Sequence, residues 1–144
     1  MGCSPSAISF GKELMQFLSN LLYMKEWWTH GGCWTLAQAL HEYLGDDRTE
    51  LWGIGSPFAG TAYHMAVKAG DCFFDADGAS TLEQILKRWK KKFPGQYLIA
   101  RKLSDNEKKT LLCKDSEDFA VEEMVDQLTL KLGPSELLWR RFFS

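Results

Sequence analysis

Ala62-Tyr63-His64-Met65-Ala66-Val67-Lys68-Ala69-Gly70-Asp71-Cys72-Phe73-Phe74-Asp75-Ala76-Asp77-Gly78 reads as two strands joined by a tight turn. The strands run over residues 62–69 and 72–76, and Gly70-Asp71, with glycine first, suits the type II′ connection of a two-residue hairpin. With Ala69 opposite Cys72, counting back along the ladder sets His64 opposite Asp77 and diagonal to Asp75. The period of two then puts all three side chains on one face, so either aspartate is within reach of the imidazole. Asp77-Gly78 is an ordinary turn signal, which favours a structural role for Asp77. Asp75 follows two phenylalanines inside a strand, where a carboxylate is costly unless paired, so it is the first choice as the partner of His64.

About thirty residues upstream, Thr29-His30-Gly31-Gly32-Cys33-Trp34 forms a glycine-opened turn into a helix. Leu36, Ala37, Leu40 and Leu44 lie on one stripe of that helix, and Gly45 supplies its C-terminal cap. Cys33 therefore sits where the helix dipole is positive, a setting that lowers a thiol pKa and offers a backbone amide to a developing oxyanion. This marks Cys33 as a candidate nucleophile and His64 as its base. His30 shares the loop of the thiol and His41 lies two turns down its helix, so neither is placed as well as an imidazole delivered from a separate strand. Cys3, Cys72 and Cys113 read as small buried hydrophobes.

Further out, helical spacing of Leu14, Phe17, Leu18, Leu21 and Leu22 predicts an amphipathic helix over residues 9–24. A short strand is expected at Leu51 to Ile54, followed by a loop over 55–60 suited to lining a substrate groove. Ser80 with Glu83 forms a capping-box pattern for a helix through Leu82, Ile85, Leu86 and Trp89, closed by Pro94-Gly95. A strand at Tyr97 to Ala100, a short helix capped by Ser104 and Glu107, a longer helix over 117–132 and a last turn over 137–143 complete the α+β pattern.

The 144 residues are 45% hydrophobic, enough for one core, so residues 1–144 read as a single domain with 1–8 a flexible N-terminus. Seventeen basic against nineteen acidic residues give no global pull toward nucleic acid. The run Lys87-Arg88-Trp89-Lys90-Lys91-Lys92 reads as a solvated helix face with its aromatic turned to the core. Four cysteines without a CxxC pair fit a reducing, cytoplasmic setting. No zinc-site spacing emerges from His30, Cys33, His64 and Cys72, no cofactor is implied, and no apolar run is long enough to cross a bilayer. Met1-Gly2-Cys3-Ser4-Pro5-Ser6 matches the N-myristoylation template, with Cys3 a neighbouring palmitoylation site. Anchoring in a host cell through Gly2 and Cys3 is thus the alternative to a cytoplasmic protein.

Gly31-Gly32-Cys33-Trp34 resembles the segment around the nucleophile of papain-like peptidases. The order Cys33, His64, Asp75 at short spacing is more similar to their compact transglutaminase, NlpC-type and arylamine-acetyltransferase relatives. The stretch from His64 to Gly78 resembles small bacterial and phage proteins of that superfamily, and the likeness spans roughly residues 30 to 90. It implies a compact papain-like fold with the nucleophile at the N-terminus of a central helix packed on a small antiparallel sheet. It also implies Cys33 as nucleophile, His64 as general base and acid, and Asp75 as orienting residue, with Asp77 the alternate. The glutamine that papain-like peptidases place before the cysteine is absent, Trp27 and Trp28 standing there instead. That leaves the Cys33 amide and a second oxyanion donor from His30 or Thr29, with Gly32 and Trp34 flanking the thiol. The expected activity is hydrolysis of an amide bond in a protein or peptide-like substrate. A transglutaminase-type acyltransferase and a catalytically silent module that binds a protein partner are the alternatives.

Overall fold

A computed structural model describes residues 2–20, 33–56, 63–108 and 118–143, with the side chains of Cys33 and of residues 118–120 outside the described set. The elements are α1 (Pro5–Asn20), α2 (Cys33–Leu44), β1 (Glu50–Gly55), β2 (His64–Ala69), β3 (Cys72–Asp75), β4 (Gly78–Ser80), α3 (Leu82–Lys92), β5 (Ile99–Lys102), α4 (Asp118–Leu132) and α5 (Ser135–Phe142). They form an α+β fold on a five-stranded sheet in the order β4-β3-β2-β1-β5, with every neighbouring pair antiparallel.

The central hairpin has the expected register, Ala69 opposite Cys72 and Val67 opposite Phe74, and Gly70 takes the positive φ of +63° that its turn requires. Beyond that pair the strand ends sooner than the sequence suggested. The chain turns at Ala76 and Asp77 into β4, which pairs Asp75 with Gly78 and Phe73 with Ser80. Asp77 is therefore in a turn and not opposite His64. Because Ser80 is still a strand residue, the capping box that starts α3 falls one position later than predicted. Gln84 N donates to Thr81 Oγ1 at 3.1 Å and Thr81 N to Gln84 Oε1 at 2.9 Å. The predicted Ser104/Glu107 box is present, with both reciprocal bonds at 3.1 Å.

The N-terminus departs most from expectation. Helix α1 starts at Pro5, not Ser9, because Ser4 caps it: Ala7 N donates to Ser4 Oγ at 3.1 Å, and proline is pre-set for the first helical position. Ala7 is buried, and Cys3 is joined to Cys72 by a disulfide with Cα atoms 5.0 Å apart, well inside the bridging range. Residues 2–8 are thus tied to the sheet, and Cys3 and Cys72 are bonded to each other where two small free hydrophobes in a reducing setting were expected. A sulfur in a disulfide is not a palmitoylation site. Further along α1, a Cβ at Gly11 would stand 2.5 Å from Ala79 N, so only glycine lets the helix lie this close to β4.

Strand alternation divides the interior in two. Met65, Val67 and Phe74 project to one face, where α1, α2, α4 and α5 bury Phe10, Leu14, Leu36, Leu40, Leu128 and Phe142. Ala66 and Phe73 project to the other, where, among the described residues, α3 is the helix that covers them, with Ile85 and Trp89, joined by Ile54 and Leu98. Helix α2 packs on the sheet and also beneath α4, leaving Glu42 as its exposed residue over 34–44.

Candidate active site

His64 is the first residue of β2, and the alternation that turns Met65 toward α2 turns His64 toward α3. The residue is 2% exposed, and its ring lies on the Trp89 indole, centroids 4.2 Å apart and planes inclined by 19°. Trp89 reaches it because it stands one turn beyond Ile85 on the buried stripe of α3. Lys92 Nζ sits 4.3 Å from the centroid of the same indole. Alongside, Tyr63 stacks on Phe93 with centroids 4.7 Å apart.

His64 Nε2 is 2.8 Å from Asp75 Oδ2, with both side chains 3% exposed. The diagonal pairing expected from the hairpin register is therefore made, by Asp75 and not by Asp77. Asp77 instead closes the turn, its backbone N donating to Asp75 Oδ1 at 2.9 Å while its side chain is 43% exposed. A carboxylate that accepts from the imidazole at one oxygen and from a backbone amide at the other is fixed in orientation. His64 Nδ1, Arg88 Nε and Trp89 Nε1 are buried with no hydrogen-bond partner among the described residues.

Two further side chains belong to this site, though their sequence suggested other roles, Ser80 a helix cap and Arg88 part of a solvated basic face. Ser80 is 1% exposed and accepts from Arg88 Nη2 at 2.8 Å. The same Nη2 is 3.8 Å from Asp75 Oδ2, and Arg88 Nε is 3.7 Å from Asp77 Oδ2. The run 87–92 is as predicted in turning Trp89 inward and Lys87, Lys90 and Lys91 outward, but Arg88 is half-buried and ion-paired. Its position three residues after Ile85 and one before Trp89, on the flank of the apolar stripe, was the available signal.

Helix α2 begins at Cys33 with no acidic residue in its first turn, so none of that turn's own side chains opposes the positive end of the helix. Residues 45–49 join α2 to β1, so the helix runs back over the sheet. Cys33 then lies toward the end where β1 finishes and β2 begins, Ile54 pairing with His64. The apolar side of α2 meets the sheet face opposite His64. Trp34 is half-buried against that α2-side core, away from the imidazole. The Cys33 sulfur, Gly32, His30 and Thr29, and residues 57–60 of the expected groove loop, lie outside the described residues. His41 is remote from the pair, its Nδ1 2.6 Å from Thr49 Oγ1.

At the other end of the sheet an open cavity of about 680 Å³ is lined by Glu50, Lys68, Lys102, Asp105 and Lys108 among others. Among its charges Lys102 pairs with Glu50 at 3.4 Å and Lys108 with Asp105 at 3.8 Å. Among the described residues no three metal-ligating side chains cluster, and no helix is long and apolar enough to cross a membrane. No protein-family model, curated protein or solved structure matches the chain.

Proposed function

We propose that the protein is a thiol hydrolase with a compact papain-like arrangement, cleaving an amide bond through Cys33, His64 and Asp75. The observation that carries this reading is the buried His64 to Asp75 hydrogen bond, which occupies Nε2 and leaves Nδ1 without a partner among the described residues. A helix N-terminus at Cys33, toward the same end of the sheet, supports it.

In this reading His64 Nδ1 takes the thiol proton of Cys33, and the thiolate attacks the substrate carbonyl carbon. The resulting tetrahedral oxyanion is met by the Cys33 amide. Collapse breaks the C–N bond as His64 returns the proton to the departing amine, leaving a thioester. Water, deprotonated by His64, then releases the acid and restores the thiol. Asp75 keeps the ring oriented and balances the imidazolium. An amine in place of water would make the same centre an acyltransferase.

The test is alkylation by iodoacetamide near neutral pH under non-reducing conditions. One thiol is expected to react fast, to disappear in Cys33→Ala, and to slow roughly tenfold or more in His64→Ala. A second reading is favoured by a specific observation: His64 projects from the sheet face opposite the apolar side of α2 and is almost fully covered by Trp89. On that reading the His64 to Asp75 pair is structural and the chain is a silent binding module. Slow alkylation of Cys33 that His64→Ala leaves unchanged selects it.

A further inference from the structure

We propose that Arg88 is the positioning residue of this site, holding Asp75 and, through Asp75, keeping the His64 imidazole as its Nε2–H tautomer with Nδ1 open. Its use in catalysis rests on the thiol-hydrolase reading, but the arrangement itself does not.

Asp75 sits 3% exposed in a strand flanked by phenylalanine, and a carboxylate there needs a compensating charge as well as hydrogen bonds. Asp77 N and His64 Nε2 supply the hydrogen bonds, and the backbone amide brings no charge. Arg88 supplies it. Its Nη2 stands 3.8 Å from the oxygen that accepts from His64, and its Nε edge faces Asp77.

The guanidinium is itself held from two sides. Ser80 Oγ, on a strand residue paired with Phe73, accepts from Nη2, while the Thr81 capping box begins α3 at the next position. The turn-by-turn register of α3 is thereby fixed relative to β4, and two turns on it delivers Arg88 to Asp75 and Trp89 to His64. The planar guanidinium fork spans three groups here: Nη2 donates to Ser80 Oγ at 2.8 Å and stands 3.8 Å from the Asp75 oxygen, while Nε, without a hydrogen-bond partner among the described residues, lies 3.7 Å from Asp77 Oδ2. A lysine ammonium carries the charge without the fork. With its carboxylate so anchored, Asp75 Oδ2 accepts from the ring through Nε2–H, and the remaining nitrogen of the buried ring is the one able to take a proton.

The test is a long-range proton–nitrogen NMR spectrum at fixed pH, with the His64 signals identified by their loss in His64→Asn. Wild-type protein is expected to show Nε2–H with unprotonated Nδ1, and slow exchange of that proton with solvent. Arg88→Gln is expected to speed exchange roughly tenfold or more and to introduce the Nδ1–H form, as loss of a charge-assisted contact would. Arg88→Lys should fall between, restoring charge but not the fork, and it serves if Arg88→Gln folds poorly. A folded Arg88→Gln with wild-type tautomer and exchange rate overturns the proposal, as does Arg88→Lys indistinguishable from wild type. Iodoacetamide alkylation separates this result from the hydrolase reading. Cys33 reactivity indifferent to His64→Ala removes that reading and leaves the NMR outcome to decide the role of Arg88 alone.

Discussion

The two faces of the sheet are built to different rules. On one, four helices stack over Met65, Val67 and Phe74, and Phe10 touches Phe74, Phe142 and Phe143 with ring centroids 5.2 to 5.9 Å apart. On the other, among the described residues, a single helix covers a smaller apolar set, and among it lie His64, Asp75 and Ser80, each 3% exposed or less. The four-helix face obtains its stability from area and close packing, which tolerate no missing volume. The single-helix face gives up part of that area to hold a hydrogen-bonded, charge-balanced pair. The same β2 strand serves both, because neighbours along it point opposite ways.

The largest expected effect comes from cutting into the four-helix face. Phe10→Ala removes a ring with no exposed surface from the centre of an aromatic cluster and should cost about 3–5 kcal/mol in urea unfolding. Asp75→Asn keeps the shape and one carbonyl acceptor on the other face and should cost clearly less. Equal losses from the two substitutions would break the comparison, since polar anchoring would then rival packing as a source of stability.

Next in size is the link between Cys3 and Cys72, which fastens the N-terminal turn of α1 to β3 on the four-helix face. Closing a loop of 69 residues' separation restricts the unfolded chain, so reduction by dithiothreitol should lower stability by about 2–4 kcal/mol. The distinction between the faces is sharpened if the Nε2–H signal of His64 is unmoved by reduction while the unfolding midpoint falls. Movement of both would mean that the faces respond as one unit.

Much of this arrangement was legible in the sequence, for local reasons. The hairpin register followed from one glycine turn and the period of two, and it led to the His64 to Asp75 pair directly. The start of α2 at Cys33 followed from the glycines before it and the stripe after it. What escaped reading depended on partners distant in the chain. Cys3 looked like a free thiol because nothing near it in sequence identifies Cys72, sixty-nine residues on, as its neighbour. Arg88 looked like one more charge in a basic run, because only the folded contact between α3 and β3 shows that it faces Asp75. The three-residue β4 was too short to carry a period, and its absence from the reading misplaced both Asp77 and the α3 cap.

The smallest effect sharpens the comparison from the four-helix side, where a polar side chain is buried without a counter-charge in hydrogen-bond contact. His41 is 7% exposed; Thr49 Oγ1 donates to Gly45 O at 2.9 Å, so its oxygen accepts from His41 Nδ1 at 2.6 Å. Burial, then the nearby Lys108, lowers its pKa from the ordinary 6.5, and Asp46 only partly offsets them. The folded state therefore binds this proton less readily than the unfolded chain. Its contribution is complete above pH 6.5 and is lost as the pH falls through that value toward the lowered one. Urea midpoints measured at pH 7.5 and pH 5.5 should drop for the wild type by more than for His41→Asn, whose amide can still donate to Thr49. An equal drop in both would show that acid reaches the fold through other groups. A burial that must stay neutral on one face, beside an imidazole given its own carboxylate and guanidinium on the other, is the clearest chemical difference between them.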